Sequence, residues 1–293
     1  MIDKGNLIDF CISGLTIKIN APEWAIHENF YPFICDNGNH NISYNVVLER
    51  PESAWKEKAR FFLKHSGVSF FDLDDCIYIL NHNNKSIPSL VKVSADWLSQ
   101  TVFIDPSYNL PKDDGIVQTV RTGLFSVIQK TISPPLANIM GLMIHSSTII
   151  WDGRGIMFAA SSGTGKTTHT NMWKRLYGVE ILDGDITACR VIDNAVLAYG
   201  LPWCGTSGEY SNRCVPLGAI VFLQQSDKNS IRKIDDLDAV LRLSSQAFIL
   251  PLNETMTNIY LGVIQEIVRC TNCYLLSCLP DENAVEIVKK CLT

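Results

Sequence analysis

The sequence predicts an α/β protein, with a smaller β-rich N-terminal domain over residues 1–111 and a larger domain over residues 112–293 built around a phosphate-binding loop. Three observations carry this reading. Ala160-Ser161-Ser162-Gly163-Thr164-Gly165-Lys166-Thr167-Thr168 follows the apolar run Gly155-Ile156-Met157-Phe158-Ala159 and leads into a helical stretch, the strand, loop and helix order in which a glycine-rich loop cradles phosphates. The first hundred residues hold short strand-like runs separated by turn-forming groups. Beyond residue 112 the apolar residues Ile116, Val117, Val120, Leu124, Val127 and Ile128 recur at helical spacing.

In chain order, Leu15 to Asn20 alternates strictly between apolar and polar residues, the period of a half-buried strand. Strand candidates follow at Ile42 to Leu48, Cys76 to Leu80, Leu90 to Val93 and Thr101 to Ile104, with turn groups at 36–39 and 81–85 and a short amphipathic helix expected over Trp55 to Lys64. The helix from Ile116 ends at Ser133-Pro134-Pro135, and Leu136 to Met143 begins another. Two strands joined by the tight turn Asp152-Gly153 lead into the loop. The helix after it closes at Tyr177-Gly178, glycine being the common residue past a helix end. Short strands at 179–182, 186–191 and 197–199, a buried strand at 217–223, helices at 235–247 and 254–268, a strand at 274–278 and a last helix capped by Asp281 complete the pattern.

The loop carries the chemistry. Backbone N–H groups at 162–168 and the start of the next helix present donors and partial positive charge to an anion. Lys166 reaches the terminal phosphates, the Thr167 hydroxyl is offered to magnesium, and Gly163 and Gly165 let the backbone approach closely. Ser162, Gly163, Thr164, Gly165, Lys166, Thr167 and Thr168 are therefore the expected nucleotide-binding residues. Ala160 stands where the usual pattern has its first glycine. Downstream, Asp183-Gly184-Asp185 ends a strand, where a loop enzyme of this kind needs carboxylates for magnesium or for a hydroxyl. Gly200-Leu201-Pro202-Trp203-Cys204-Gly205-Thr206-Ser207-Gly208 reads as a lid or a long connection.

Bulk properties narrow the partners. A net charge of −5 argues against a nucleic-acid binder. No apolar run is long enough to span a membrane, and the first residues lack the pattern of a signal peptide, so a cytoplasmic protein is expected. The ten cysteines are scattered in mostly apolar segments, which suits free buried thiols. Cys270 and Cys273, with Cys278, lack the second pair or histidines that a zinc site would need.

Four features together resemble the HPr kinase/phosphorylase and phosphoenolpyruvate carboxykinase-like family of P-loop proteins: Ile144-His145 before a strand pair, Ser162 to Thr168, Gly184-Asp185, and Gly200-Leu201-Pro202-Trp203. The resemblance spans residues 140–224 and continues loosely to the end. It implies a carboxykinase-like core in which His145 and Asp185 sit near the γ-phosphate and the acceptor hydroxyl. Gly184 occupies the first place of the adjacent aspartate pair usual in HPr kinases, with Asp183 one place earlier. The acidic carboxykinase signature and the phosphorylase-associated loop are missing, and the N-terminal region is not that of HPr kinases.

The expected function is an ATP-dependent serine kinase. Lys166 stabilises the transferring group, Thr167 and Asp185 hold Mg²⁺, and Asp185 or Asp183 takes the proton of the attacking hydroxyl. His145, Lys166 and Asp185 are the expected catalytic residues. Relatives of this layout phosphorylate serine in a protein or peptide, which makes such a serine the first acceptor and a small-molecule hydroxyl the second, and they often assemble as homo-oligomers. A nucleotide-binding sensor or scaffold without phosphotransfer is the alternative from another class.

Overall fold

The computed structural model describes residues 6–36, 38–51, 55–65, 67–81, 87, 90–108 and 110–292. The turn groups expected at 36–39 and 81–85 fall partly outside these residues. The chain divides into two compact units, Met1–Pro135 and Leu136–Thr293.

The first unit is a mixed sheet of eight strands: β1 (Asn6–Ile12), β2 (Leu15–Ala21), β3 (Ile42–Val47), β4 (Arg60–His65), β5 (Val68–Leu73), β6 (Cys76–Asn81), β7 (Leu90–Ser94) and β8 (Ser99–Phe103), in the order β1-β2-β3-β8-β7-β6-β5-β4. The pairs β2/β3 and β3/β8 are parallel. The period-two signal of β2 is realised as expected, with Leu15, Ile17 and Ile19 buried. The helix expected over Trp55 to Lys64 is confined to α1 (Trp55–Lys58). From Arg60 onward the chain is β4, where Phe61 and Phe62 meet Phe71 and Phe70 across the strand pair and sheet packing overrides the helical spacing.

Helix α2 (Asp114–Thr131) begins at Asp113, whose side chain accepts a hydrogen bond from Ile116 N, and buries Val120, Leu124 and Ile128 at four-residue intervals. It is counted with the first unit, although the change of sequence character near residue 112 suggested a boundary before it. The packing explains the placement. The Arg121 guanidinium donates to Trp24 O, Phe125 stacks on His27 at 4.1 Å, and Thr131 Oγ1 lies 2.7 Å from Tyr44 Oη. The cysteines are not all free thiols, since Cys11 and Cys35 form a disulfide that joins β1 to the segment between β2 and β3.

Helix α3 (Ser133–Asn138) carries Pro134 and Pro135 in its first turn, where a missing N–H costs nothing. It is shorter than expected, because Leu142 and Met143 belong to the next strand. The second unit contains β9 (Gly141–Trp151), β10 (Arg154–Ala159), α4 (Lys166–Tyr177), β11 (Glu180–Asp183), β12 (Ile186–Ile192), β13 (Ala195–Tyr199), β14 (Cys214–Gln225), β15 (Ser230–Lys233), α5 (Asp236–Gln246), α6 (Glu254–Cys270), β16 (Asn272–Cys278) and α7 (Glu282–Leu292). Its sheet runs β10-β9-β12-β13-β14-β16-β15, and a parallel β10/β14 pair joins strands four places apart in that order.

Strand β9 is buried on both faces over most of its length and changes partners midway. Gly141 to His145 pair with β12, while Ser146 to Trp151 pair with β10 and Thr148 to Ile150 also with β11. Asp152 and Gly153, at φ 48° and 71°, make the left-handed turn that a two-residue hairpin requires. One apolar layer packs Met157, Ile220 and Phe222 against Val263, Ile264 and Ile267 of α6. The opposite layer packs Ile156, Phe158 and Val221 against Met172 and Trp173 of α4, which fixes the helix that follows the glycine loop. No helix is long and apolar enough to cross a membrane among the described residues.

Candidate active site

Strand β10 delivers the chain to Ala160, and the loop Ser161–Gly165 turns it into α4. Gly163 and Gly165 take φ of 80° and 111°, left-handed values that a side chain would strain, while the space around each is open. Gly165 is the N-cap of α4 and offers no side-chain cap, so the first-turn N–H groups lack the oxygen that a Ser or Asp cap would supply. Ser161, Ser162, Gly163, Thr167 and Thr168 are exposed around this positive helix end. The far end of α4 closes on Gly178 at φ 63°.

Lys166 is buried at the start of α4, and its ammonium donates to Ala160 O at 2.8 Å. Its Nζ also lies 3.2 Å from His145 Nε2, and the same Nε2 lies 3.3 Å from Asp185 Oδ1. Burial pushes the Lys166 pKa down, opposed by the negative charge of Asp185. A ring nitrogen either carries a proton or accepts one. Nε2 therefore accepts from Lys166 or donates to Asp185, not both at once. The structure thus brings together His145, Lys166 and Asp185 from β9, α4 and the turn between β11 and β12.

The two aspartates of Asp183-Gly184-Asp185 are in different environments. Asp183 is fully buried, and its Oδ1 accepts from Asp185 N and Ile186 N, each at 2.9 Å, while Oδ2 accepts from Leu201 N at 2.8 Å. Burial pushes its pKa well above the usual carboxylate range, against the lowering effect of those three donors. The Asp185 side chain is 35% exposed. Its carbonyl accepts from Ser146 N, which ties the turn to β9 just past His145.

The expected lid is a packed wall over its first half, with Leu201, Pro202, Trp203 and Cys204 buried. Gly184 N donates to Glu209 O and Ser211 N to Leu182 O. Glu209 is ion-paired with Lys174 of α4 at 2.6 Å. Two buried hydroxyl pairs also brace the site and were not singled out in the sequence: Ser147 with Thr170 at 3.1 Å and Thr148 with Thr187 at 2.7 Å. Their signal was polar residues inside otherwise apolar strands, except for Thr170, which comes from the buried face of α4.

Thr167 and Thr168 stand on the exposed first turn of α4, and no group of three or more His, Cys, Asp or Glu side chains is placed to hold a metal among the described residues. Thr167 and Asp185 are the two oxygen donors that the sequence assigned to a cation. Such a pair suits an ion that keeps several waters and phosphate oxygens in its shell, which is the habit of magnesium.

The family model described as SynChlorMet cassette protein ScmC matches residues 114–278, more than half of the chain. The chain belongs to the ScmC family. Within ScmC, the matched stretch takes in α2 and the second unit as far as the end of β16, and so includes His145, the glycine loop and both aspartates. No curated protein is similar to the chain in sequence. The solved structure of the Hpr(Ser) kinase/phosphatase from Coxiella burnetii is similar to it at 11% identity, over 51% of this chain and 97% of that one, with a TM-score of 0.30.

Proposed function

We propose that this ScmC chain is an ATP-dependent phosphotransferase whose catalytic portion lies in the unit Leu136–Thr293 and whose acceptor is a hydroxyl, first a serine of a protein or peptide and second a small molecule. The observation that carries the reading is that Lys166, held to Ala160 O, and Asp185 both lie within reach of the same atom, His145 Nε2, at 3.2 and 3.3 Å. This sets a cation at the start of an uncapped helix close to a partly exposed carboxylate, the two groups that phosphoryl transfer to a hydroxyl needs.

The N–H groups of the loop and of the first turn of α4 hold the phosphates, and Lys166 turns from Ala160 O to the terminal phosphate. Mg²⁺, held by Thr167 and Asp185, supplies neutralising charge when bound. The acceptor oxygen forms its bond to the γ-phosphorus as the bond to the bridging oxygen breaks and ADP leaves. Asp185 takes the hydroxyl proton, a role for which its exposure suits it and the burial of Asp183 does not. With Lys166 turned to the phosphate, His145 in the tautomer that carries its proton on Nε2 donates to Asp185 and orients the carboxylate.

The test is to incubate the protein with labelled ATP, magnesium and candidate acceptors. The family description names a cassette protein, so peptides encoded beside its gene come first. Asp185→Asn should lower transfer by about a hundredfold or more while ATP still binds. Absence of both transfer and magnesium-dependent turnover in the wild type would return the chain to the sensor class.

A further inference from the structure

The turn that carries Asp185 is gripped from two sides. From below, the Asp183 carboxylate collects the N–H groups of Asp185, Ile186 and Leu201, so one buried side chain binds the turn and the start of the 200–211 segment together. From above, that segment closes on the turn through backbone. A Cβ built on Gly205 would lie 2.5 Å from Asp185 Oδ2 and 2.7 Å from its Cγ, and one built on Gly184 would lie 2.1 Å from Ser207 Oγ. Ser207 Oγ is itself held, donating to Cys204 O at 2.6 Å and accepting from Glu209 N at 3.2 Å. An isolated bridge between Asp183 and Tyr210 adds to the closure.

We infer that Asp183 and Gly205 are positioning residues: Asp183 locks the turn and the 200–211 segment into one rigid piece, and the bare Gly205 backbone sets where the Asp185 carboxylate lies against His145. The spacing Asp-Gly-Asp then has a physical reason. The first carboxylate points inward to the frame, the central glycine admits Ser207 without a clash, and the second carboxylate faces solvent and the imidazole. Gly205 is needed twice, since it also adopts φ of 58°.

The choice of substitution separates these two demands. Gly208 lies three residues on with φ of 67° and open space around its Cβ position. Gly208→Ala therefore reproduces the left-handed strain without touching Asp185, whereas Gly205→Ala adds the contact with the carboxylate.

Two measurements test the inference, and only one rests on the proposed activity. In hydrogen exchange of the full chain, Asp183→Asn should speed exchange tenfold or more at the amides of Asp185, Ile186 and Leu201, with strands β10 and β14 unchanged. In steady-state assays, Gly205→Ala should lower kcat for phosphoryl transfer at least tenfold with the ATP Kd within about twofold, while Gly208→Ala stays within about threefold of wild type in both. Wild-type exchange in Asp183→Asn would overturn the frame. Equal effects of Gly205→Ala and Gly208→Ala on kcat would overturn the contact with Asp185. If Asp183→Asn does not fold, Ser207→Ala is read instead, with faster exchange expected at Gly184 and Glu209 and wild-type exchange counting against the frame. Should the wild type transfer no phosphate, the functional reading falls while exchange still decides the frame, and the Gly205 contact is decided by exchange at Ser146, whose N–H donates to Asp185 O: faster in Gly205→Ala than in Gly208→Ala is expected, and equal rates would overturn the contact.

Discussion

Lys166 Nζ lies 3.2 Å from His145 Nε2, a distance at which the imidazole, in the tautomer with Nε2 unprotonated, accepts from the ammonium and occupies the cation. Phosphate oxygens must replace this contact, so the two residues should affect binding in opposite ways. Lys166→Ala is expected to weaken ATP binding at least tenfold, about 1.4 kcal/mol or more, by calorimetric titration. His145→Ala should leave binding equal or tighter and reduce transfer. Weaker binding in both variants would contradict this account.

The buried Asp183 carboxylate offers a stability prediction that needs no substrate. Asp183→Ala leaves three backbone N–H groups without their acceptor in a closed interior. A cost of about 3 kcal/mol is expected, read as a lower denaturant midpoint. A loss below about 1 kcal/mol would mean that water enters and replaces the carboxylate.

Thr148 and Thr187 are fully buried with their hydroxyls 2.7 Å apart between adjacent strands. Each single change to Val strands the partner hydroxyl and should destabilise by about 1–2 kcal/mol. The double variant should cost less than the sum, because both polar groups then leave together. Strict additivity in the thermodynamic cycle would show that the pair is not coupled.

His169 of α4 is buried beside Phe158, and its Nε2 accepts from Trp173 Nε1 at 3.2 Å. Burial pushes its pKa from 6.5 down to about 4. The unfolded chain therefore takes up the proton first as pH falls. The stability of the neutral form is complete above about pH 6.5 and is lost toward pH 4, by about 3 kcal/mol. Denaturation of His169→Gln across this range should show a shallower pH slope than wild type, and parallel slopes would exclude His169 as the source.

Much of the second unit was legible because its signals are local. The Asp-Gly hairpin, the glycine loop, Gly178 after α4 and the Asp281 cap each act within a few residues, and each lies where its chemistry demands. The first unit was harder. Strands β1, β4 and β5 lack a clean alternation, and the Phe61 and Phe62 contacts that make β4 a strand come from across the sheet. In the site, the sequence picked out His145, Lys166 and Asp185, and the structure joins them. It could not separate Asp183 from Asp185, since both follow the same strand and only burial distinguishes them. The partner of Gly205 was equally hidden, because a close approach of backbone to a side chain leaves no pattern in sequence.

Strand β9 pairs with β12 as far as His145 and with β10 and β11 beyond it, so neighbouring residues answer to two different sets of ladder bonds. This places an unequal tolerance on changes in chain length. Residues added at the Asp152-Gly153 turn extend a solvent-exposed tip and leave both ladders in step. One residue added between His145 and Ser146 must put one of the two ladders out of step, and a shift of one place reverses every side chain on that half of the strand. Either the imidazole turns from Lys166 and Asp185 or the hairpin that presents the glycine loop turns over. Length variation among chains of this kind should therefore collect at the hairpin tip and spare the junction.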